Sequence, residues 1–125
     1  MREVSCAYIT LIRIKVRNMS DLYVTTEILM EYEEIIASKY NDNVAKDVLR
    51  TLLELPNVHK QIVYYHWNLI SIDPDDNKFV DCAISANVHY LVSNDKHFRV
   101  LKEIAFPKID ILKIDEFKAI FPDDI

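Results

Sequence analysis

The chain has 125 residues, 15 Lys and Arg against 20 Asp and Glu, and a formal charge of −5. Half of it is hydrophobic, enough to build a core and too much for a disordered chain. The acidic balance excludes a basic coating protein that binds nucleic acid mainly through phosphate neutralisation, and the absence of any glycine excludes P-loop and dinucleotide-binding fingerprints.

Residues 4–16 alternate loosely and are rich in β-branched types, which predicts a strand, with a helix as the alternative. Asn18 to Asp21 reads as a turn and Leu22 to Thr25 as a short strand. Thr26 is placed to cap a helix whose apolar stripe is Ile28, Leu29, Tyr32, Ile35 and Ile36. Asn41-Asp42-Asn43 breaks that helix and starts another, from Val44 to Leu55, which Pro56-Asn57 ends. Ile62 to Tyr65 reads as a strand or the entry to a loop, and Leu69 to Ile72 as a brief extended or helical piece. The main helix follows from Pro74 to Asn87, then a strand from Tyr90 to Ser93 and a short helix from Lys96 to Glu103. A last strand from Asp110 to Ile114 precedes a helical turn from Asp115 to Ile120. Short hydrophobic strands alternating with helices predict an α/β fold with a parallel sheet covered on both faces.

The chain reads as one domain over residues 1–125. Cys6 and Cys82 are too few for a thiolate zinc site, and Cys82 lies in an apolar helical pattern, as a buried free thiol in a reducing compartment would. No stretch reaches the length of a membrane span, and no signal peptide is read in residues 1–16, where Arg13 and Lys15 interrupt the apolar run.

Chemistry concentrates at Asp73-Pro74-Asp75-Asp76-Asn77 and Ser93-Asn94-Asp95. Asp73 is a good N-cap with Pro74 at the first helical position, and Asp76 falls where a carboxylate closes a capping box. Asp76 also lies on the inward stripe of the helix, with Val80 and Ala83. A charge there is costly unless it is paired or bound to metal. In a βαβ arrangement the first turn overhangs the carboxyl ends of the strands, where ligands bind. Asp95 follows a strand and reaches the same rim, so Asp76 and Asp95 are candidates for a divalent metal site built of hard oxygens. Glu31, one to two turns into the first helix, is the third candidate, against its reading as an ordinary surface glutamate. Asp81 falls on the opposite, polar side with Asn77 and Ser85. Ser93 can hydrogen-bond a carboxylate or phosphate, and Asn94 suits a left-handed turn. Lys78, Lys96, His97, Arg99 and Lys102 are either phosphate contacts or a solvated face, and His97 is close enough to Asp95 to be an outer ligand. Tyr64, Tyr65 and Trp67 form an aromatic patch suited to core or dimer packing.

Asp73 to Ala83, Tyr90 to His97 and Leu29 to Glu34 together resemble the PIN-domain family, in the toxin-component branch of toxin–antitoxin systems. The similarity runs from about Leu22 to the C-terminus. The resemblance implies a three-layer α/β/α fold with a short parallel sheet, and a cytoplasmic, Mg2+- or Mn2+-dependent endoribonuclease. Glu31, Asp76 and Asp95 would be catalytic and metal-binding, with Asp81 a commonly acidic position and a further metal ligand. Ser93, Asn94, Lys96 and His97 would support the site or contact phosphate. RNA would be the substrate, an antitoxin protein and a second copy of the chain the partners, with no membrane. The family's first strand ends in Asp-Thr-Asn, whereas residues 1–21 form an atypical segment without that motif. The first strand is therefore expected to be replaced or missing, which leaves the site one carboxylate short, metal binding weak and catalysis slow or absent. The alternative is a catalytically inactive PIN-like interaction or dimerisation module.

Overall fold

A computed structural model describes residues 10–14 and 20–120 of the chain. Its elements are β1 (Thr10–Ile14), β2 (Ser20–Val24), α1 (Thr26–Lys39), α2 (Asp42–Glu54), β3 (Val58–Lys60), a 3-10 turn (Pro74–Asp76) and α3 (Asn77–Ala86). There follow β4 (Tyr90–Val92), a 3-10 helix (Lys96–Glu103), β5 (Ile111–Leu112) and α4 (Ile114–Ile120). The strand order is β3-β2-β1-β4-β5. β2 pairs parallel with β3 and β4 with β5, whereas β1 is antiparallel to both β2 and β4. β2 to β5 therefore point one way, as the expected parallel sheet requires of the strands near Leu22, Tyr90 and Ile111. Within the atypical N-terminal segment, Thr10–Ile14 is the strand expected there, and it fills the central slot in the opposite direction. Its starting residue, Thr10, pairs with Val92 at the end of β4.

The sheet is the middle of three layers. Val24, Ile28, Phe79, Val80, Leu91, Phe98 and Leu101 are buried together beneath α1 and α3. On the other face Val92 and Phe117 of α4 are buried with Tyr90, Leu112 and Ile114 packed around them. Leu91 and Val92 serve opposite cores because successive strand residues alternate faces. Cys82 is buried and free, and burial pushes its thiol up to about 12, which makes it a packing residue.

Several local expectations need correction. Thr25, not Thr26, caps α1: its backbone is extended and its Oγ1 accepts from the Ile28 N–H at 3.2 Å. The second helix starts at Asp42, with Asn41 as its cap. Ser20 and Asp21 belong to β2, not to a turn. Ile62–Tyr65 and Leu69–Ile72 form neither strand nor helix, and β3 at Val58–Lys60 was unforeseen. It is a three-residue edge strand, too short to show an alternating pattern. The helix foreseen from Pro74 is a 3-10 turn leading into α3, which ends at Asn87 in left-handed geometry (φ 54°).

Candidate metal centre

The direction of α3 places the site. α3 runs back to β4 through Asn87, so its first turn lies at the edge where β4 ends and Asp95 follows. Asp73 is extended and its Oδ1 accepts from the Asp75 N–H at 3.2 Å. Pro74 then fixes the first position of the turn, and the Asp76 N–H donates to the Asp73 carbonyl at 3.0 Å. Residues three apart eclipse in a 3-10 turn, which puts Asp73 and Asp76 on one side. Asn77 holds this turn against the incoming chain. Its Oδ1 accepts from the Ile70 N–H at 2.9 Å and its Nδ2 donates to the Ile70 carbonyl at 2.8 Å.

After β4, Ser93 Oγ accepts from the Asp95 N–H at 2.9 Å, and Asp95 Oδ1 accepts from the His97 N–H at 2.9 Å. These two bonds return the chain so that His97 faces α3. Its Nδ1 lies 3.1 Å from Asp76 Oδ2 and 3.5 Å from Asp95 Oδ1. Asp73, Asp76 and His97 each offer a ligand atom, and all three atoms lie within 4.8 Å of one another. Asp76 is only 3 % exposed. Burial raises its pKa, the His97 hydrogen bond works against that rise, and the charges of Asp73 and Asp95 add to it. A buried carboxylate among like charges favours a cation, and two carboxylates with an imidazole form a donor set that fits Mn2+ better than Mg2+, which prefers oxygen throughout.

The expected site residues divide. Asp76, Asp95 and His97 meet at this rim. Asp73, read only as a cap, joins them, and Asp-Pro-Asp-Asp with carboxylates three apart was the signal for it. Asp76 stands at the N-cap of α3, where its side chain makes no cap bond. Glu31 and Asp81 lie outside the convergent set. Glu31 forms an ion pair with Lys78, which also lies 3.8 Å from Asp75. Burial lowers the Lys78 pKa, and the Glu31 hydrogen bond and charge outweigh it, so the ammonium is held protonated. Asp81 is buried rather than on a polar face, and so is Asn77 four residues before it. It accepts from the Trp67 N–H at 3.0 Å and from His66 Nδ1 at 3.1 Å. Asn94 is not left-handed among the described residues; its Oδ1 accepts from the Ile114 N–H at 3.0 Å, tying the rim to α4. Lys96 is exposed.

Asp81 thus pins residues 66 and 67 to α3. Asp81→Ala leaves the part-buried Trp67 N–H without its acceptor and removes the tie to His66, and should lower stability by about 2 kcal/mol. Chemical denaturation tests this; an unchanged midpoint would show that the loop does not depend on the carboxylate.

Among known families, the model described as PIN domain matches residues 3–97, from before β1 to His97 of the rim. The match thus takes in the N-terminal segment as well as the part after Leu22 that carries the resemblance. No curated protein and no solved structure matches the chain.

Proposed function

The chain belongs to the PIN-domain family, and from that premise we propose that it is a metal-dependent endoribonuclease of the toxin–antitoxin type. The observation that carries this reading is the convergence of Asp73, Asp76 and His97 at the strand ends, with Asp95 beside them. In this reading Asp73 and Asp76 bind the ion through carboxylate oxygens and His97 through a ring nitrogen. Asp95 orients the imidazole by accepting from the His97 backbone. A divalent ion held there supplies an acidified water and neutralises charge on the phosphodiester. The substrate is RNA in a reducing, cytoplasmic setting. The protein partners are an antitoxin, which masks the rim, and a second copy of the chain. No helix among the described residues is long and apolar enough to cross a membrane.

One observation favours a second reading, the inactive interaction module. Glu31, the counterpart of the family's helical glutamate, is neutralised by Lys78 instead of joining the cluster. Mn2+ titration distinguishes the two. The nuclease reading expects thermal stability to rise with Mn2+, by about 2.7 kcal/mol at a hundred times the dissociation constant, and RNA to be cut only when metal is present. Protein that neither gains stability with Mn2+ nor cuts RNA is the interaction module.

A further inference from the structure

The 3-10 helix after Asp95 carries a feature the metal centre does not use. Three residues complete a 3-10 turn, so positions three apart stand in one row, about 6 Å from one to the next. Lys96, Arg99 and Lys102 form such a row, and all three are exposed. The row containing Phe98 and Leu101 is buried in the core, which fixes the rotation of the helix. Among the described residues none of the three cations enters an ion pair. In a protein of net charge −5 this is a local reversal of sign. Glu103 stands on the neighbouring row.

Both ends of this row lead somewhere. At its start lie Asp95 and His97 of the metal centre. Four residues after Lys102 in the chain, Phe106, 81 % exposed, meets Trp67 edge-to-face at 6.1 Å, and Trp67 meets Tyr65 in the same manner at 4.8 Å. Tyr65 is 64 % exposed. The bonds from Asp81 to residues 66 and 67 hold this aromatic ladder to α3. The same loop reaches the 3-10 turn, since His66 and Asn68 line one small cavity with Pro74 and Asp75, which lie between Asp73 and Asp76 in sequence.

We propose that the Lys96–Arg99–Lys102 row and the Tyr65–Trp67–Phe106 ladder form a track for a single strand of RNA, leading from the metal centre to a base-stacking platform. The proposal rests on the nuclease reading and specifies its substrate. The cations are spaced as successive phosphates along one strand, and the helix, about 16 Å long, separates the metal centre from the platform by a few nucleotides. Aromatic faces accept any unstacked base, so the track selects single strands over duplexes and little by sequence. Aromatic residues also serve protein interfaces. Here a cationic row joining them to the metal centre favours a polyanion.

Fluorescence anisotropy of a short fluorescein-labelled oligouridylate, measured in EDTA across a range of salt, tests the track without cleavage. The combined variant Lys96→Ala, Arg99→Ala, Lys102→Ala should flatten the slope of log affinity against log salt by about 2, at ~0.7 for each phosphate that the variant no longer neutralises. The pair Tyr65→Ala, Phe106→Ala should weaken binding about ten-fold at unchanged slope. A duplex of the same length should bind more weakly than the single strand. Unaltered slope in the triple variant, or duplex binding as tight as single-strand binding, overturns the proposal. So does a change in self-association, seen by sedimentation velocity, when the aromatic pair is removed without effect on RNA affinity. Mn2+ titration of the same proteins keeps the two readings apart. Retained Mn2+ binding with unaltered RNA binding defeats the track alone, and absence of Mn2+ binding in the wild type defeats the metal centre.

Discussion

Asp76→Asn is expected to have two opposite effects. It should cut Mn2+-dependent RNA cleavage by about two to three orders of magnitude, the equivalent of roughly 3–4 kcal/mol of transition-state stabilisation. It should also make the metal-free protein more stable at neutral pH. The sign follows from burial, which holds the Asp76 carboxyl above its ordinary value of 3.8 in the fold. The native state therefore binds that proton more tightly than the unfolded chain does. Its contribution is fully present below pH 3.8 and is lost as pH rises through the raised native value, so at neutral pH the ionised carboxylate subtracts stability. Asn removes that penalty, and the gain over wild type should shrink as pH falls through the same window. Thermal melts in EDTA at several pH values, beside cleavage assays with Mn2+, measure both effects. A variant that melts below wild type at neutral pH, or that cuts RNA as fast, contradicts this account of Asp76.

Asn77→Ala should be the most destabilising change near the site. The Asn77 side chain closes two bonds with Ile70 in a buried setting. Alanine leaves an N–H and a carbonyl without their partner, at about 2–4 kcal/mol in all, or roughly 10 °C in melting temperature for a domain of this size. The loss of this clamp also frees the turn that aligns Asp73 with Asp76, so Mn2+ affinity should fall about ten-fold or more, as for other groups that support metal ligands. Calorimetry under conditions where the variant is still folded separates the two losses. Full Mn2+ affinity in a destabilised variant would mean that Asn77 holds the fold and not the ligands.

Local signals were legible where the chain states them locally. Pro74 opens the turn before α3, and the helix at Lys96–Glu103 has the bounds its sequence suggested. Such features depend on a residue and its near neighbours. β3 was missed because its strand character comes from pairing with β2, as Val58 opposite Leu22 and His59 opposite Tyr23. Thr25, read as the end of a strand, keeps that extended backbone and is the cap, while Thr26 is the first residue of α1.

The sequence alone determined the alternation of strands and helices, the family, and the two acidic segments at the start of α3 and the end of β4. Those follow from periodicity, capping and motif, all short-range properties. Only the tertiary structure decided that β1 enters the centre of the sheet antiparallel, that Glu31 is claimed by Lys78, and that Asp81 is spent on the 66–67 loop. It also decided that Asp73 and His97 complete the cluster with Asp76. Spacing can bring a carboxylate to the right edge of a sheet. Which neighbour it meets there depends on strand direction and on the turn geometry that rotates each side chain, and both are settled by packing between segments far apart in the chain.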